Sequence, residues 1–483
     1  MMFPMRNLLS VSFVTALAGC SLTPLYERPT APAGAAYPSG SAYAPAADTV
    51  GSPVAADIGW RDFFADPLLQ RLIELALANN RDLRVTALNV DAARAQYRIQ
   101  RANLAPAIGV AAKGTLQGTP ADLSPSHQAT VSHNYQLSSA VSAWELDLFG
   151  RIRSLSNKAL ESYLAQDETR VATQLALIAE LANAYLTLRA DQELLMLTRS
   201  TLSSQEDSYK LTHLSYDQGV ATALDLSQAE VSWRTAQRNL SQYTRQAAQD
   251  RNALLLLVGQ SLPDDVTAQL DKAVKLEDSM LPMILPAGLP SDLLVRRPDI
   301  RAAEHQLKGA NANIGAARSA FFPTIGLTGS AGTASASLDG LFKGGAGAWS
   351  FVPQLTMPIF AGGSLLAGLD LAKVQKNIQI AQYEKAIQTG FREVADALAG
   401  RGTLDDQIQA QKLLVAANQR AYDLSDQRFR QGADSYLSVL DSQRSLYAAQ
   451  QILVDTRRAR LSNLVTLYKV LGGGWIEHSV RPA

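Results

Sequence analysis

Two kinds of hydrophobic pattern alternate along the chain. Long stretches rich in Ala, Leu, Gln, Arg and Asp, with almost no Gly or Pro, run over about 67–104, 151–217, 222–258, 292–321, 364–430 and 435–471. Their periodicity predicts helices. Short Gly/Ser/Thr-rich stretches over about 107–117, 135–148, 324–334 and 349–360 predict strands. The clearest alternation is Trp349, Phe351, Pro353, Leu355, Met357 and Ile359, where every second residue is apolar. Asp66-Pro67 supplies an acidic cap and a first-turn proline for the first long helix.

Several helices carry sevens. Leu226, Trp233, Leu240, Ala247 and Leu254 form one set, Leu440, Tyr447, Val454, Leu461 and Tyr468 a second, and Leu181, Leu188, Leu195 and Leu202 a third. Sustained heptads predict coiled-coil packing. A helix over 151–217 would be about 100 Å long at 1.5 Å per residue, more than a globular domain needs.

The pattern occurs twice. With an offset of 217 residues, Asp82, Arg84, Ala93, Ala95, Arg101, Pro106, Ile108 and Gly109 match Asp299, Arg301, Ala310, Ala312, Arg318, Pro323, Ile325 and Gly326. With an offset of 213, Tyr209, Leu211, Gln218, Gly219, Leu224 and Gly259 match Tyr422, Leu424, Gln431, Gly432, Leu437 and Gly472. Phe149 and Phe360 close the strand pair of each half. Each half therefore reads helix, strand, strand, long helix, Gly turn, helix. The organisation is 1–19 as a leader, 20–64 as a Pro/Ala/Gly/Ser-rich extended segment, 65–258 as repeat one, 259–290 as a mixed linker, 291–471 as repeat two and 472–483 as a tail.

Composition changes the picture at few points. The 483 residues have zero formal net charge, which gives no reason to expect a nucleic-acid partner. Arg6 followed by the apolar stretch Leu8–Ala18 fits a signal peptide and is too short to span a bilayer. Leu17-Ala18-Gly19-Cys20 resembles a bacterial lipoprotein signal, with Cys20 acylated (palmitate) and Ser21 directing export to the outer membrane. Cys20 is the only cysteine, so there is no internal disulfide and no CxxC metal site. Two acyl chains would anchor the chain stably to a membrane.

That anchor makes the strands informative. They fit a small soluble sheet, but beyond the signal segment the longest uninterrupted apolar run is Leu254–Val258. A spanning protein of this kind needs a closed β-barrel, because open edges are unsatisfied in lipid. Four strands close no transmembrane barrel, as these begin at eight. A spanning form must be an oligomer sharing one barrel.

The stretches RRPDIRAAEHQLKGANANIGAARSAFFPTIGLTGSAG, PQLTMPIFAGG, RFRQGADSYLSVLDSQRSLYAAQQ and LYKVLGGGW resemble the outer-membrane factor family, the TolC-like lipoprotein channels of tripartite multidrug efflux pumps. The resemblance runs from Trp60 to Trp475. It implies an α+β membrane protein: a homotrimeric 12-stranded outer-membrane β-barrel with four strands per chain, continuous with a long periplasmic coiled-coil α-barrel built from the two repeats. The 259–290 segment would belong to a mixed equatorial region. It implies a passive exit duct whose partners are a periplasmic adaptor, an inner-membrane RND pump and outer-membrane lipid, with no cofactor.

Leu437, Asp441 and Arg444 share one helix face, beside the seam Leu440/Tyr447/Val454. By the residues alone this is also an ordinary solvated face with an i,i+3 ion pair. The resemblance implies that these three close the periplasmic aperture. In the first half, Leu224 matches Leu437, but Gln228 and Glu230 stand where Asp441 and Gln443 stand, so the gate is expected on the second tip. The turns Gln218-Gly219-Val220 and Gln431-Gly432-Ala433 read as helix C-caps; the resemblance adds contact with the adaptor.

Gly344-Gly345-Ala346-Gly347 lacks a following Walker motif and reads as an extracellular loop. His127, His133, His213, His305 and His478 form no HxxxH pair, and no nucleophile–base set is apparent. No metal site and no enzyme are expected. Two other functions stay open: a coiled-coil lipoprotein scaffold without a pore, against which the paired strands stand, and an exit duct for secreted proteins or metal ions, which the sequence does not separate from a drug duct beyond its lack of His- or Met-rich segments.

Overall fold

The computed structural model describes residues 21–32, 34, 36–43, 55–272, 274–277, 281, 285 and 292–479. The expected leader and Cys20 lie outside the described residues, as do parts of the 20–64, 259–290 and 472–483 segments.

In chain order the elements are α1 (Trp60–Phe63), α2 (Pro67–Asn79), α3 (Arg81–Ala102), β1 (Ile108–Thr119), β2 (Thr130–Glu145), α4 (Arg151–Asp217), α5 (Ala223–Val258), α6 (Asp264–Leu270), α7 (Leu293–Arg296), α8 (Pro298–Ser319), β3 (Thr324–Ser335), β4 (Gly347–Thr356), α9 (Ser364–Arg430) and α10 (Tyr436–Val470). The repeat persists at the level of elements. Helices α3 and α8 each have 22 residues, and α4 and α9 each have 67.

Two expected helices are broken, at matching places. The helix read over 67–104 is α2 plus α3. Asn80 is extended between them, accepts the Leu83 N–H at 2.9 Å, and donates Nδ2 to Leu257 O at 2.9 Å. The helix read over 292–321 is α7 plus α8, because Pro298 pushes Arg297 into an extended conformation (φ −80°, ψ 121°). Gly259, which ends α5, packs against the first break: a Cβ there would lie 2.5 Å from the Asn79 oxygen. Its counterpart Gly472 packs at 3.1 Å from Arg296 O. Both glycines also have positive φ. Strand β2 begins earlier than the 135–148 expectation, and β4 ends at Thr356, leaving Met357–Phe360 beyond it. Helix α6 lies within the mixed linker.

The strands form one antiparallel sheet in the order β1-β2-β3-β4. A bulge between Val141 and Trp144 shifts β2 against β3, with Ala143 at φ 48° donating its N–H to Thr328 Oγ1 at 3.2 Å. The extra residue keeps Trp144 opposite Leu327.

The chain forms two compact units, and each is assembled from both repeats. One takes Asn89–Gln166 and Ala302–Tyr383 with the described part of Met1–Thr30. The other takes the described parts of Ala31–Leu88, Asp167–Arg301 and Glu384–Ala483. The repeats are therefore units of sequence and topology, and the long helices run from one compact unit into the other.

In the first unit the sheet joins segments of α3, α4, α8 and α9. Residues 21–30 lie as an extended strap on α8. Pro24 O accepts Asn311 Nδ2 at 2.8 Å, Leu22 O accepts Arg318 Nη1 at 3.2 Å, and Arg28 Nη2 reaches Glu304 Oε2 at 2.8 Å. Thr23 sits where a side chain at Gly315 would stand, so the strap needs that glycine.

In the second unit the core lies where α1 and α2 meet α4 and α10. Tyr468 stacks on Phe63 with ring centroids 3.9 Å apart and donates to Ile58 O at 2.6 Å. Asp66 caps α2 and also accepts the Tyr185 hydroxyl at 2.6 Å. One window of α4 is long and apolar enough to cross a membrane by composition. Leu181, Tyr185, Leu186 and Leu188 of α4 are nonetheless buried in protein.

Candidate functional site: the sheet wall and the helix tips

The sheet is amphipathic across all four strands. The register places Ile108 opposite Val141, Ala112 opposite Leu137, Val141 opposite Gly329, Gly329 opposite Phe351, and Ile325 opposite Leu355. These residues and Trp349 share one apolar face. The other face carries Lys113 opposite Gln136, Thr115 opposite Asn134, Gln117 opposite Ser132, and Ser330 hydrogen-bonded to Ser350 at 2.8 Å. Ile108, Val110, Leu116, Val131, Trp349, Phe351 and Leu355 are all exposed, as are Ile359 and Phe360 just beyond β4. An exposed apolar face of this kind marks a surface covered by lipid or by another protein.

The helix tips are built by the same local chemistry twice. Gly219 (φ 73°) follows α4 and Gly432 (φ 72°) follows α9. Gly219 N–H donates to Tyr216 O and Val220 N–H to Ser215 O, each at 2.9 Å; Gly432 and Ala433 repeat this with Phe429 O and Arg428 O, also at 2.9 Å. This is the Schellman arrangement. No atom would meet a Cβ within 4 Å at either glycine, so the left-handed backbone alone selects glycine. Gln218, Val220, Gln431 and Ala433 are exposed around them.

The two tips restart their helices differently. Thr222 and Asp225 form a reciprocal capping box on α5. On the second tip Asp434 accepts Ser435 N–H at 2.8 Å, Ser438 Oγ at 3.1 Å and Arg428 Nε at 3.3 Å. These bonds, led by that from the Ser435 N–H, hold the Asp434 carboxyl below its usual range. The second turn is thereby tied to the end of α9.

Helix α10 then divides into two faces. Val439, Leu440, Gln443 and Leu446 are buried. Leu437, Asp441 and Arg444 lie together on the outer face. The side chains of Asp441 and Arg444 are 77% and 53% exposed and 4.0 Å apart at their nearest atoms. Such a pair stabilises a helix by tenths of a kcal/mol, about 0.3–0.5. The matching first-tip residue, Leu224, is exposed too.

Between the tips lies a groove of about 1140 Å³, lined by Ser204, Ser208 and Thr212 of α4, Phe429 of α9, and Tyr436 and Val439 of α10. The Phe429 and Tyr436 rings are 5.0 Å apart. The heptads did not reveal this groove, because its walls come from helices more than 200 residues apart in the chain. A serine-rich end of α4, Ser200 to Ser215, was its one legible sign. Among the described residues, no cluster of three His, Cys, Asp or Glu is placed for a metal ion.

Over residues 72–260 and 289–473 the chain matches the outer membrane efflux protein family. It is 52% identical over 476 residues to the toluene efflux pump outer membrane protein TtgC of Pseudomonas putida, covering 98% of this chain and 97% of that one. The antibiotic efflux pump outer membrane protein ArpC of Pseudomonas putida matches with the same identity over the same lengths. Among solved structures, the open state of the Neisseria gonorrhoeae MtrE outer membrane channel is similar with a TM-score of 0.86 at 39% identity, over 96% of this chain and 100% of that one. A scaffold without a pore is set aside by these likenesses. The chain belongs to the outer membrane efflux protein family: it is an outer-membrane efflux channel protein with a periplasmic helical extension, and not an enzyme.

Proposed function

We propose that three copies close one twelve-stranded barrel and form the gated exit duct of a tripartite RND-type pump. The observation that carries this is the sheet itself: β1 and β4 are both edges, and one face presents Ile108, Val110, Leu116, Val131, Trp349, Phe351 and Leu355, all exposed. Edge N–H and C=O groups cannot stay unpaired in lipid. Pairing β4 of one copy with β1 of the next satisfies them, and three copies supply twelve strands.

The repeat supports the same conclusion independently. Positions of α8 that are buried, Ala312, Ile314 and Ala316, match Ala95, Tyr97 and Ile99 of α3. Yet α3 has no buried residue, and Ile99 is 61% exposed where Ala316 is 9% exposed. A neighbouring copy supplies the partner that α3 lacks.

Leu437, Asp441 and Arg444 then form rings at the second tip. Exchanging their contacts between copies for contacts with an adaptor opens the aperture. Gln218, Gly219, Val220, Gln431, Gly432 and Ala433, with the groove between them, are the adaptor's docking points. Cys20 is the acylation site. Relatives named for toluene and for antibiotics match equally well, which favours small-molecule cargo selected by the pump upstream.

The test is planar-bilayer recording of the wild type beside the Asp441→Ser/Arg444→Ser protein. Rare, small wild-type openings should become frequent and large in the variant. Equal conductance would refute the gate, and no conductance from a verified trimer of either would refute the shared barrel.

A further inference from the structure

We propose that Arg94, Arg98 and Arg101 of α3 form a binding stripe for an anionic phospholipid headgroup of the periplasmic leaflet. The inference rests on the acylation of Cys20 proposed above, which sets the height of the membrane.

The repeat gives α3 and α8 the same position in each half. On α8, the face formed by Glu304, Asn311, Gly315 and Arg318 is occupied by the strap. The matching residues of α3 are Ala87, Arg94, Arg98 and Arg101. Among the described residues there is one strap, and it lies on α8, so none of them covers this second face. It also could not seat one: Gly315 makes room for Thr23, and its counterpart is the long side chain of Arg98. Arg94, Arg98 and Arg101 are all exposed. They lie at i, i+4 and i+7, one face of the helix.

The strap also calibrates height. Arg318 bonds the carbonyl of Leu22, two residues from Cys20 in sequence, and two residues reach at most about 7 Å. Arg101 is the counterpart of Arg318, so acylation of Cys20 would set it near headgroup level. Arg98 and Arg94 follow about 5 and 10 Å further along the helix. Leu104 is exposed just past the end of α3 and Ile108 opens β1, so the stripe leads toward the apolar wall. Guanidinium groups fork onto phosphate oxygens, and each basic residue near an anionic surface strengthens binding about fivefold.

The experiment is native mass spectrometry of the purified full chain with added phosphatidylglycerol or phosphatidylcholine. The wild type should retain phosphatidylglycerol preferentially. Arg94→Gln/Arg98→Gln/Arg101→Gln should lower that retention more than tenfold at low salt with the trimer mass intact, and the corresponding lysine triple variant should keep most of it. Equal retention by the glutamine variant overturns the proposal. Loss of the trimer in that variant also overturns it, by assigning the arginines to contacts between copies. Intact mass reports acylation separately: arginine-dependent retention by a chain unmodified at Cys20 sustains the stripe while removing the anchor.

Discussion

Gln443 of α10 donates Nε2–H to Ser204 Oγ of α4 at 3.0 Å. Gln443 is buried and lies between Asp441 and Arg444 in sequence. The bond fixes the rotation of α10, so that the proposed gate residues face outward. Its loss removes about 1 kcal/mol. We expect Gln443→Leu to raise open probability about fivefold without changing the size of each opening. Unchanged gating would mean that contacts between copies alone hold the tip.

At Gly219 and Gly432 the strain of a side chain is purely in the backbone. Alanine in the left-handed region costs about 1–2 kcal/mol. We expect Gly219→Ala and Gly432→Ala each to lower the melting temperature by a few degrees, with Asn at the same positions nearer to wild type. Equal effects of Ala and Asn would show that the side chain is excluded for another reason.

Asp191 of α4 faces Asp250 of α5, with Asp455 and Arg458 of α10 beside them. Burial, then the hydrogen bond and charge of Asp250, push the Asp191 carboxyl up to about 7, while Arg458 pulls it down. Asp250 Oδ2 is buried and otherwise unpartnered, so it is placed to accept the Asp191 proton. The ordinary value is 3.8, so the folded chain holds a proton that the unfolded chain has released. This contribution is complete below about pH 4 and is lost as pH rises through about 7. We expect a lower melting temperature at pH 8 than at pH 5.5, and a smaller difference in Asp191→Asn. An undiminished pH dependence in that variant would place its origin elsewhere.

Glu304 holds the strap. Burial opposes its ionisation, but Arg28 and Lys308 outweigh that and keep it below the usual carboxylate range. We expect Glu304→Gln to free the strap, raising the rate at which a glutamyl endopeptidase cuts after the exposed Glu27 on the order of tenfold, or 1.4 kcal/mol of local opening. Wild-type protection should be lost as pH falls through the depressed value, because the ionised form makes the contact. Unaltered cleavage would show that Asn311 and Arg318 suffice.

The sequence by itself determined what depends on local period and composition. The two long helix-periodic stretches over 151–217 and 364–430 require helices as long as α4 and α9. The alternation Trp349/Phe351/Pro353/Leu355 requires a strand with one apolar face. Gln-Gly after each long helix requires a left-handed cap. The twofold recurrence of these signals specified a repeat, and the count of four strands specified that any membrane-spanning barrel must be shared.

Tertiary structure alone decided what depends on residues brought together from afar. Asn80 breaks a continuous helical pattern because its side chain binds both Leu83 and Leu257. Each compact unit draws on both repeats, because long helices pass from one unit to the other. Gln443 is a polar residue buried on α10, as Thr456 and Arg460 are, and Ser204, 239 residues away, accounts for its burial. Asp191 and Asp250 are ordinary charges on two helix faces until packing removes their water. The strap is a featureless polar and proline-rich segment until Gly315 makes room for Thr23. In each case the deciding term is a pairwise contact or a desolvation, and neither leaves a trace in the period of a single segment.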